Sequence, residues 1–197
     1  MKEIKEIFPN FYNNVKLLAP PENQTSIVKF GLSCCKYDNP IRTDTAYKLC
    51  VHIRRGDFRQ HGFVESPEDF VIASIDYALN YIKENSSIEN ISTIFIGNDK
   101  KFTLKIITKL EVNSYILENT SRGEDLCFGI HYCNSLIITA GASTFGWWIG
   151  YLKNQEGPVF YNTKMVLSKK NIDKEKYSFD GFPSHWIGLA KNETEYI

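Results

Sequence analysis

Short runs of apolar residues alternate with longer amphipathic segments along the chain from Leu49 onward. The short runs have the length of buried strands, and the segments between them repeat apolar residues at the helical period. Strands that alternate with helices predict an α/β fold, in which a Rossmann-like parallel sheet is flanked by helices. The predicted strands are Leu49–Ile53, Thr93–Ile96, Ser114–Leu117, Leu136–Thr139 and Pro158–Tyr161. The predicted helices are Pro67–Lys83, Lys100–Leu110, Glu124–Cys133 and Thr144–Leu152.

The beginning of the chain departs from this alternation. Prolines such as Pro9, Pro20 and Pro40 interrupt each periodic run there. We therefore expect an irregular lead-in over residues 1–48 and one folded domain over residues 49–197.

Charge and hydropathy exclude several classes of partner. The 197 residues hold 23 Lys and Arg against 23 Asp and Glu, so no net field attracts nucleic acid or anionic lipid. Any anion site must come from a local cluster of cations. The sequence lacks the run of roughly 18 apolar residues that a membrane span needs, and we see neither a signal peptide nor an anchor in it.

Cysteines and asparagines bear on the cellular compartment. Five cysteines are an odd number without CxxC spacing, so neither a zinc site nor a complete disulfide framework follows. Five N-x-S/T sequons stand where this composition would give about two by chance. They indicate a secretory history, and an Asn-rich chain explains them equally well. The candidate glycosylation sites are Asn23, Asn85, Asn90, Asn119 and Asn192.

The sharpest polar segment directly follows the first predicted strand. Arg54 and Arg55 come next to Gly56 and Asp57. In an open parallel sheet, ligands bind at the carboxyl ends of the strands, and guanidinium groups match phosphate oxygens. The segment is therefore either an anion site, in which Asp57 orients an arginine, or a solvated surface loop of ion pairs.

A second strand, turn and helix combination runs from Thr139 to Trp148. Its turn consists of small residues, which would let a phosphate or sugar oxygen approach the N–H groups of the helix start. Ser143 and Thr144 would add hydroxyl groups. The alternative is a capped helix that packs on the sheet.

Polar residues mark the starts of three further helices. Ser66 and Asp69 have capping-box spacing before the first long helix. Asn98 and Asp99 follow the second strand, and Asp125 opens a later helix. Amides and carboxylates at such positions either cap helices or read the edge of a nucleobase, and the residues alone leave both open.

The common catalytic motifs are absent from the sequence. It contains no DxD, no Walker loop, no GxGxxG, no GxSxG and no HExxH. Catalysis by a metal ion or a serine triad has no local support, and we expect no metal site and no cofactor.

Three segments together resemble the α1,2-fucosyltransferase family, in a form similar to nematode members. They are HIRRGDF at His52–Phe58, SLIITAGASTFGWWIGYL at Ser135–Leu152, and FPSHWIG at Phe182–Gly188. The resemblance covers the C-terminal, donor-binding half of that family. It implies one half of a two-domain, GT-B-like glycosyltransferase, so that residues 49–197 form a GDP-fucose-binding domain. It further implies that the lead-in would be the remnant of a missing N-terminal domain and that we should expect the chain to be truncated.

The resemblance also implies an activity. Members of the family transfer fucose from GDP-fucose to a galactose-terminated glycan, with inversion and without a metal, in the Golgi lumen as membrane-anchored proteins. The missing DxD motif fits metal independence, because arginines are able to stabilise the charge of departing GDP. The alternative is a non-catalytic nucleotide-sugar-binding module or pseudoenzyme. No nucleic-acid partner is expected.

Position by position, the resemblance implies roles for residues of the first two motifs. Arg54, Arg55, Ser143 and Thr144 would bind the donor diphosphate. The residues that would support the donor site are Asp57, Phe145 and Gly146.

The remaining roles concern the nucleoside and the chemistry. Asn98, Asp99 and Asp125 would lie near the guanosine. No catalytic base follows from the motifs, and His52 and Asp57 are candidates only because they are close to the first one. Because His52 lies within a predicted strand, we expect a different role for it, that of a half-buried imidazole whose hydrogen bonds are satisfied.

Overall fold

The computed structural model describes most of the predicted folded domain. It covers residues 45–117, 120–153, 155–167 and 181–190. The expected lead-in over residues 1–48 lies outside the described residues as far as residue 44.

Within these ranges, six strands form one sheet, and all of its neighbouring strands are parallel. The strand order is β3-β2-β1-β4-β5-β6. The strands β2 and β3 therefore extend the sheet on one side of β1, and β4, β5 and β6 extend it on the other side. The strands are β1 (Tyr47–Ile53), β2 (Ile91–Gly97), β3 (Ser114–Ile116), β4 (Ser135–Ile138), β5 (Val159–Asn162) and β6 (Ile187–Leu189). The helices are α1 (Asp57–Gln60), α2 (Glu68–Asn85), α3 (Lys100–Ile107), α4 (Arg122–Tyr132) and α5 (Thr144–Leu152). The predicted α/β fold is confirmed.

The central strand β1 is buried on both faces. Leu49, Val51 and Ile53 lie in one core cluster with the apolar face of α2. The alternate residues Cys50 and His52 are also buried, and they contact the other half of the domain. A strand that is apolar on both faces is typical of a parallel sheet covered by helices on each side.

A disulfide bond joins the second face of β1 to the end of α4. Cys50 and Cys133 are bonded, with their Cα atoms 5.6 Å apart and 83 positions between them in sequence. A cross-link that closes a loop of this length stabilises the fold by about 4 kcal/mol, mainly by restricting the unfolded chain. The sequence left the pairing of the five cysteines open.

The helix starts differ in part from the predictions. Helix α5 has the predicted bounds, whereas α1 and β6 were not predicted. The predicted cap of α2 is wrong: its N-cap is Pro67, which forms no side-chain cap. The Ser66 hydroxyl is used elsewhere, because it accepts a hydrogen bond of 2.8 Å from the backbone N–H of Arg54. None of the described helices is both long and apolar enough to cross a membrane.

Candidate functional site

A cleft of about 400 Å³ opens at the carboxyl edge of the sheet. It lies where β1 and β4 are neighbours, which is the point at which the strand order changes direction. Chains leaving two such strands turn to opposite faces, and the crevice between them is the usual ligand site of an open α/β sheet. The residues that line the cleft are His52, Ile53, Arg54, Phe58, Gly97, Asn98, Thr120, Arg122, Asp125, Ser143, Thr144 and Phe145.

The two polar segments predicted from the sequence meet in this cleft. Arg54 comes from the end of β1, and Thr144 comes from the start of α5. The two motifs therefore face one crevice. The other predicted site residues that line the cleft are His52, Asn98, Asp125, Ser143 and Phe145. Those that lie outside the lining are Arg55, Asp57, Asp99 and Gly146.

Arg54 is held in position by Asp57. Two contacts of 2.8 Å join the guanidinium to the two carboxylate oxygens, and the guanidinium lies 5.2 Å from the centre of the Phe58 ring. The hydrogen bond from Arg54 lowers the pKa of Asp57. A bidentate pair fixes the plane of the guanidinium, so Arg54 faces the cleft in one orientation. Asp57 thus fixes the orientation of Arg54.

The Arg55 side chain contacts other protein groups and does not line the cleft. It donates to the Ser66 carbonyl at 2.6 Å and forms an ion pair of 3.0 Å with Glu65. Its Nε lies 3.3 Å from Asp99, within ion-pair range although not in hydrogen-bond geometry, and its guanidinium is 4.1 Å from the Phe102 ring centre. Successive residues of an extended chain point to opposite sides, so when Arg54 faces the cleft, Arg55 faces away.

Asn98 and Asp99, which follow β2, have different hydrogen-bond partners. The Asn98 amide accepts from the N–H of Arg55 at 3.0 Å and donates to its carbonyl at 2.9 Å. Asp99 caps α3 by accepting from the N–H of Phe102 at 3.0 Å. Reading Asn98 as a helix cap is therefore wrong, and its side chain instead fixes the backbone of the arginine segment.

Asp125 is also not a helix cap. Ser121 caps α4 and forms a capping box with Glu124, which leaves the Asp125 carboxylate to accept from the Thr120 hydroxyl at 2.5 Å. Burial raises the pKa of Asp125. A partly buried carboxylate in a cleft is suited to accept paired N–H groups, such as those on the edge of a purine.

Ser143 and Thr144 occupy different environments. Ser143 is buried, and its hydroxyl caps α5 by accepting from the N–H of Gly146 at 3.4 Å. Thr144 is exposed in the cleft at the first position of α5. The alternative of a capped helix is thus correct for Ser143, and the helix start that it caps lines the cleft through Thr144 and Phe145.

His52 lies beneath the cleft floor and is sealed by α5. Its side chain is only 2% exposed, and among the described residues its Nδ1 has no hydrogen-bond partner. Its Nε2 lies 3.5 Å from the Ser143 hydroxyl. A Cβ added at Gly146 would stand 2.9 Å from Nδ1, so glycine is what lets α5 approach this closely. The expectation of a satisfied, half-buried imidazole is wrong on both counts.

Sequence reasoning missed two lining residues of the α4 region, Thr120 and Arg122. Thr120 becomes relevant only through its contact with Asp125. Arg122 opens α4, three positions before Asp125, and that spacing on a helix places two side chains on one face. The available signal was the S-x-x-E spacing of Ser121 and Glu124, a capping box that begins the helix at Arg122 and not at the predicted Glu124.

A parallel sheet with a cleft at its switch point defines the class of Rossmann-like domains that bind nucleotides at their strand ends. A family model described as glycosyl transferase family 11 matches residues 26–190. The chain belongs to this family, and the resemblance derived from the motifs is confirmed.

Two curated relatives agree with this assignment. A galactoside 2-alpha-L-fucosyltransferase of Caenorhabditis elegans is 31% identical, and the match covers 90% of this chain and 48% of that protein. A second one from the same organism is 30% identical, with 76% and 43% covered. The chain thus spans about half the length of these curated relatives. A solved structure titled "Crystal structure of NodZ alpha-1,6-fucosyltransferase soaked with GDP-fucose" has 11% identity and a TM-score of 0.40, covering 74% of this chain and 65% of that one.

Burial of His52 predicts a pH-dependent stability. Burial, and secondarily the charge of Arg54, lowers its pKa from 6.5 to about 4. The unfolded chain takes up this proton at higher pH than the folded chain does. The contribution of neutral His52 to the free energy of unfolding is therefore fully present above pH 6.5 and is lost as pH falls towards 4. Between pH 7 and pH 5 the loss should be about 2 kcal/mol in the free energy of unfolding, measured with denaturant. The His52→Gln variant is the control, and an equal loss in that variant would contradict the assignment.

Because Arg55 pairs with Glu65 and Asp99, substitution of Arg55 should destabilise the fold more than substitution of Arg54. Arg55→Ala leaves Glu65 and Asp99 without their cation and should lower the free energy of unfolding by about 1–3 kcal/mol. Arg54→Ala removes a more exposed pair and should cost less than about 1 kcal/mol. Denaturant unfolding of both variants at pH 7 measures the difference. The reverse order would show that Arg55 is not the structural member of the pair.

Proposed function

We propose that the cleft binds GDP-fucose and that the complete protein transfers fucose to a galactose-terminated glycan. One observation carries the proposal: Arg54, Asp125 and the start of α5 line the same cleft at the switch point of the sheet. Membership in glycosyl transferase family 11, and relatives whose printed names are galactoside 2-alpha-L-fucosyltransferase, support the choice of donor and acceptor.

The proposed binding mode follows the distribution of charge. The guanine edge lies at Asp125, whose carboxylate accepts N–H groups, and Asn98 lines the same cleft. The diphosphate lies between Arg54 and the N–H groups at the start of α5, since both favour negative charge. The fucose then extends towards Thr144 and Phe145.

The proposed transfer forms a bond between the acceptor oxygen and the anomeric carbon of fucose. The bond from that carbon to the phosphate oxygen breaks, and GDP leaves with the electron pair. Arg54 and the α5 start would stabilise the charge that develops on the diphosphate. Inversion at the anomeric carbon and independence of metal ions stay predictions, and a base that the motifs do not identify takes the acceptor proton.

One observation favours the alternative, binding of the nucleotide sugar without catalysis. Of the two candidate bases, His52 is sealed from solvent and Asp57 is engaged by Arg54 on both carboxylate oxygens. Neither is presented as a free base to an acceptor hydroxyl within the described part of the chain. A donor site that holds GDP-fucose without consuming it would have this arrangement.

Calorimetric titration tests the donor site. The chain should bind GDP and GDP-fucose with a dissociation constant on the order of micromolar, and UDP-galactose much more weakly, because Asp125 is placed for a purine edge. Arg54→Ala should weaken binding of GDP at least about 10-fold, and Asp125→Asn should reduce the preference for GDP over UDP.

Arg59→Ala, an exposed arginine of α1 outside the cleft, is the matched control and should bind like the original chain. A folded chain that binds GDP and UDP species equally, or neither, would contradict the proposal. Incubation with GDP-fucose and a β-galactoside then separates the two functions, since only the transferase yields a fucosylated product with loss of GDP-fucose.

We also propose that the protein works in the Golgi lumen or on its lumenal membrane face. The Cys50–Cys133 disulfide supports an oxidising compartment. Two sequons begin at the ends of the loop between α2 and β2, because Asn85 ends α2 and Asn90 directly precedes β2, and both asparagines are exposed. The other candidate glycosylation sites, which are Asn23, Asn119 and Asn192, lie outside the described residues.

Asn85 provides the test of this compartment. It ends α2 at the sheet edge remote from the cleft, and Ser87 of its sequon is exposed as well. When the chain is secreted from eukaryotic cells behind a signal peptide, mass spectrometry should find a glycan on the Asn85 peptide that an N-glycosidase removes. Asn85→Gln should lose one glycan and Ser87→Thr should keep it. An unmodified Asn85 peptide from the secreted, folded chain would contradict the proposal.

A further inference from the structure

Arg122 is the second arginine in the cleft, and the motifs did not identify it. It is the first residue of α4, its side chain is exposed, and it lines the cleft together with Arg54. Among the described residues it forms no ion pair and no side-chain hydrogen bond. Its positive charge is therefore available to a ligand.

The cleft has no surplus of positive charge without Arg122. The charge of Arg54 is matched by Asp57 at 2.8 Å. Burial lowers the pKa of His52 to about 4, so the imidazole is neutral at pH 7. Asp125 contributes a carboxylate, and Arg55 is engaged by Glu65 and Asp99 away from the lining. Each phosphoryl group of a diphosphate brings negative charge that the arginine segment alone does not balance.

Asp125 does not neutralise Arg122, although the two are three positions apart on α4. Residues with this spacing share a helix face. The acid accepts from Thr120 instead, and no ion pair joins it to Arg122 in the described structure. The pKa of Asp125 is raised by burial, whereas a paired arginine would lower it. The first turn of α4 thus presents a carboxylate and a separate cation to the same space.

We propose that Arg122 binds the diphosphate of the donor and takes the place that the motif resemblance implies for Arg55. The inference rests on the proposed donor site and adds a residue to it. In this arrangement Arg54 contacts the phosphates from the end of β1, and Arg122 contacts them from α4, so that the diphosphate lies between two cations. Asp125, one turn along the same helix, binds the base. The helix α4 then contacts both the diphosphate and the base of GDP.

The test compares the binding of ligands that differ only in their phosphates. The original chain and the Arg122→Gln variant are titrated with GDP and with guanosine at pH 7 and low salt. Arg122→Gln should weaken GDP binding about 10-fold or more and leave guanosine binding unchanged, because only the diphosphate contact is lost. Arg122→Lys should restore part of the GDP affinity. Arg59→Gln, which removes an exposed arginine outside the cleft, should bind both ligands like the original chain.

The outcomes separate this inference from the proposed function. If the original chain binds GDP and Arg122→Gln binds it equally well, Arg122 is not a diphosphate ligand and the inference fails alone. If the variant loses affinity for guanosine as much as for GDP, Arg122 contacts the nucleoside, and the assignment is again wrong. If the original chain binds no GDP, the proposed donor site fails and the inference with it. Equal melting temperatures of the variants show that any loss of affinity is not loss of fold.

Discussion

The end of β1 is held by polar side chains that bond to its backbone, and the cleft depends on this arrangement. Ser66 accepts from the N–H of Arg54, and Asn98 makes two hydrogen bonds to the backbone of Arg55. On the other side, the hydroxyl of Thr139 donates to the carbonyl of His52 at 2.6 Å. A strand end whose backbone groups are satisfied from three neighbouring elements cannot rotate freely. The orientation of both arginines follows from it.

The charges around the cleft are arranged before any ligand arrives. Arg55 links β1 to Glu65 and Asp99, and Asp57 sets the plane of Arg54. Charge-bearing groups that are already oriented need not reorganise when a negative ligand binds or when charge develops on a leaving group. The adjacent arginines are therefore not equivalent: Arg55 is part of the scaffold, and Arg54 faces the cleft.

Much of the fold could be predicted because the periodic pattern is strong. Helix α5 was predicted with its observed bounds, and the end of β1 was recognised from the arginines that follow it. The side of the sheet that each arginine faces could not be predicted, since it depends on the strand register. The function of Ser66 and the pairing of Cys50 with Cys133 depend on contacts between residues that are distant in sequence. The short helix α1 and the edge strand β6 carry too little periodicity to be detected.

The central claim is that the end of β1 and the start of α5 form one site for a GDP sugar. Amide hydrogen exchange of the chain, measured with and without saturating GDP-fucose, tests it most directly. The account predicts slower exchange in peptides from both segments, 52–58 and 139–148, with no change in the loop at 85–90 on the remote edge of the sheet. Protection of only one segment, or protection that UDP-galactose produces equally, would contradict the claim.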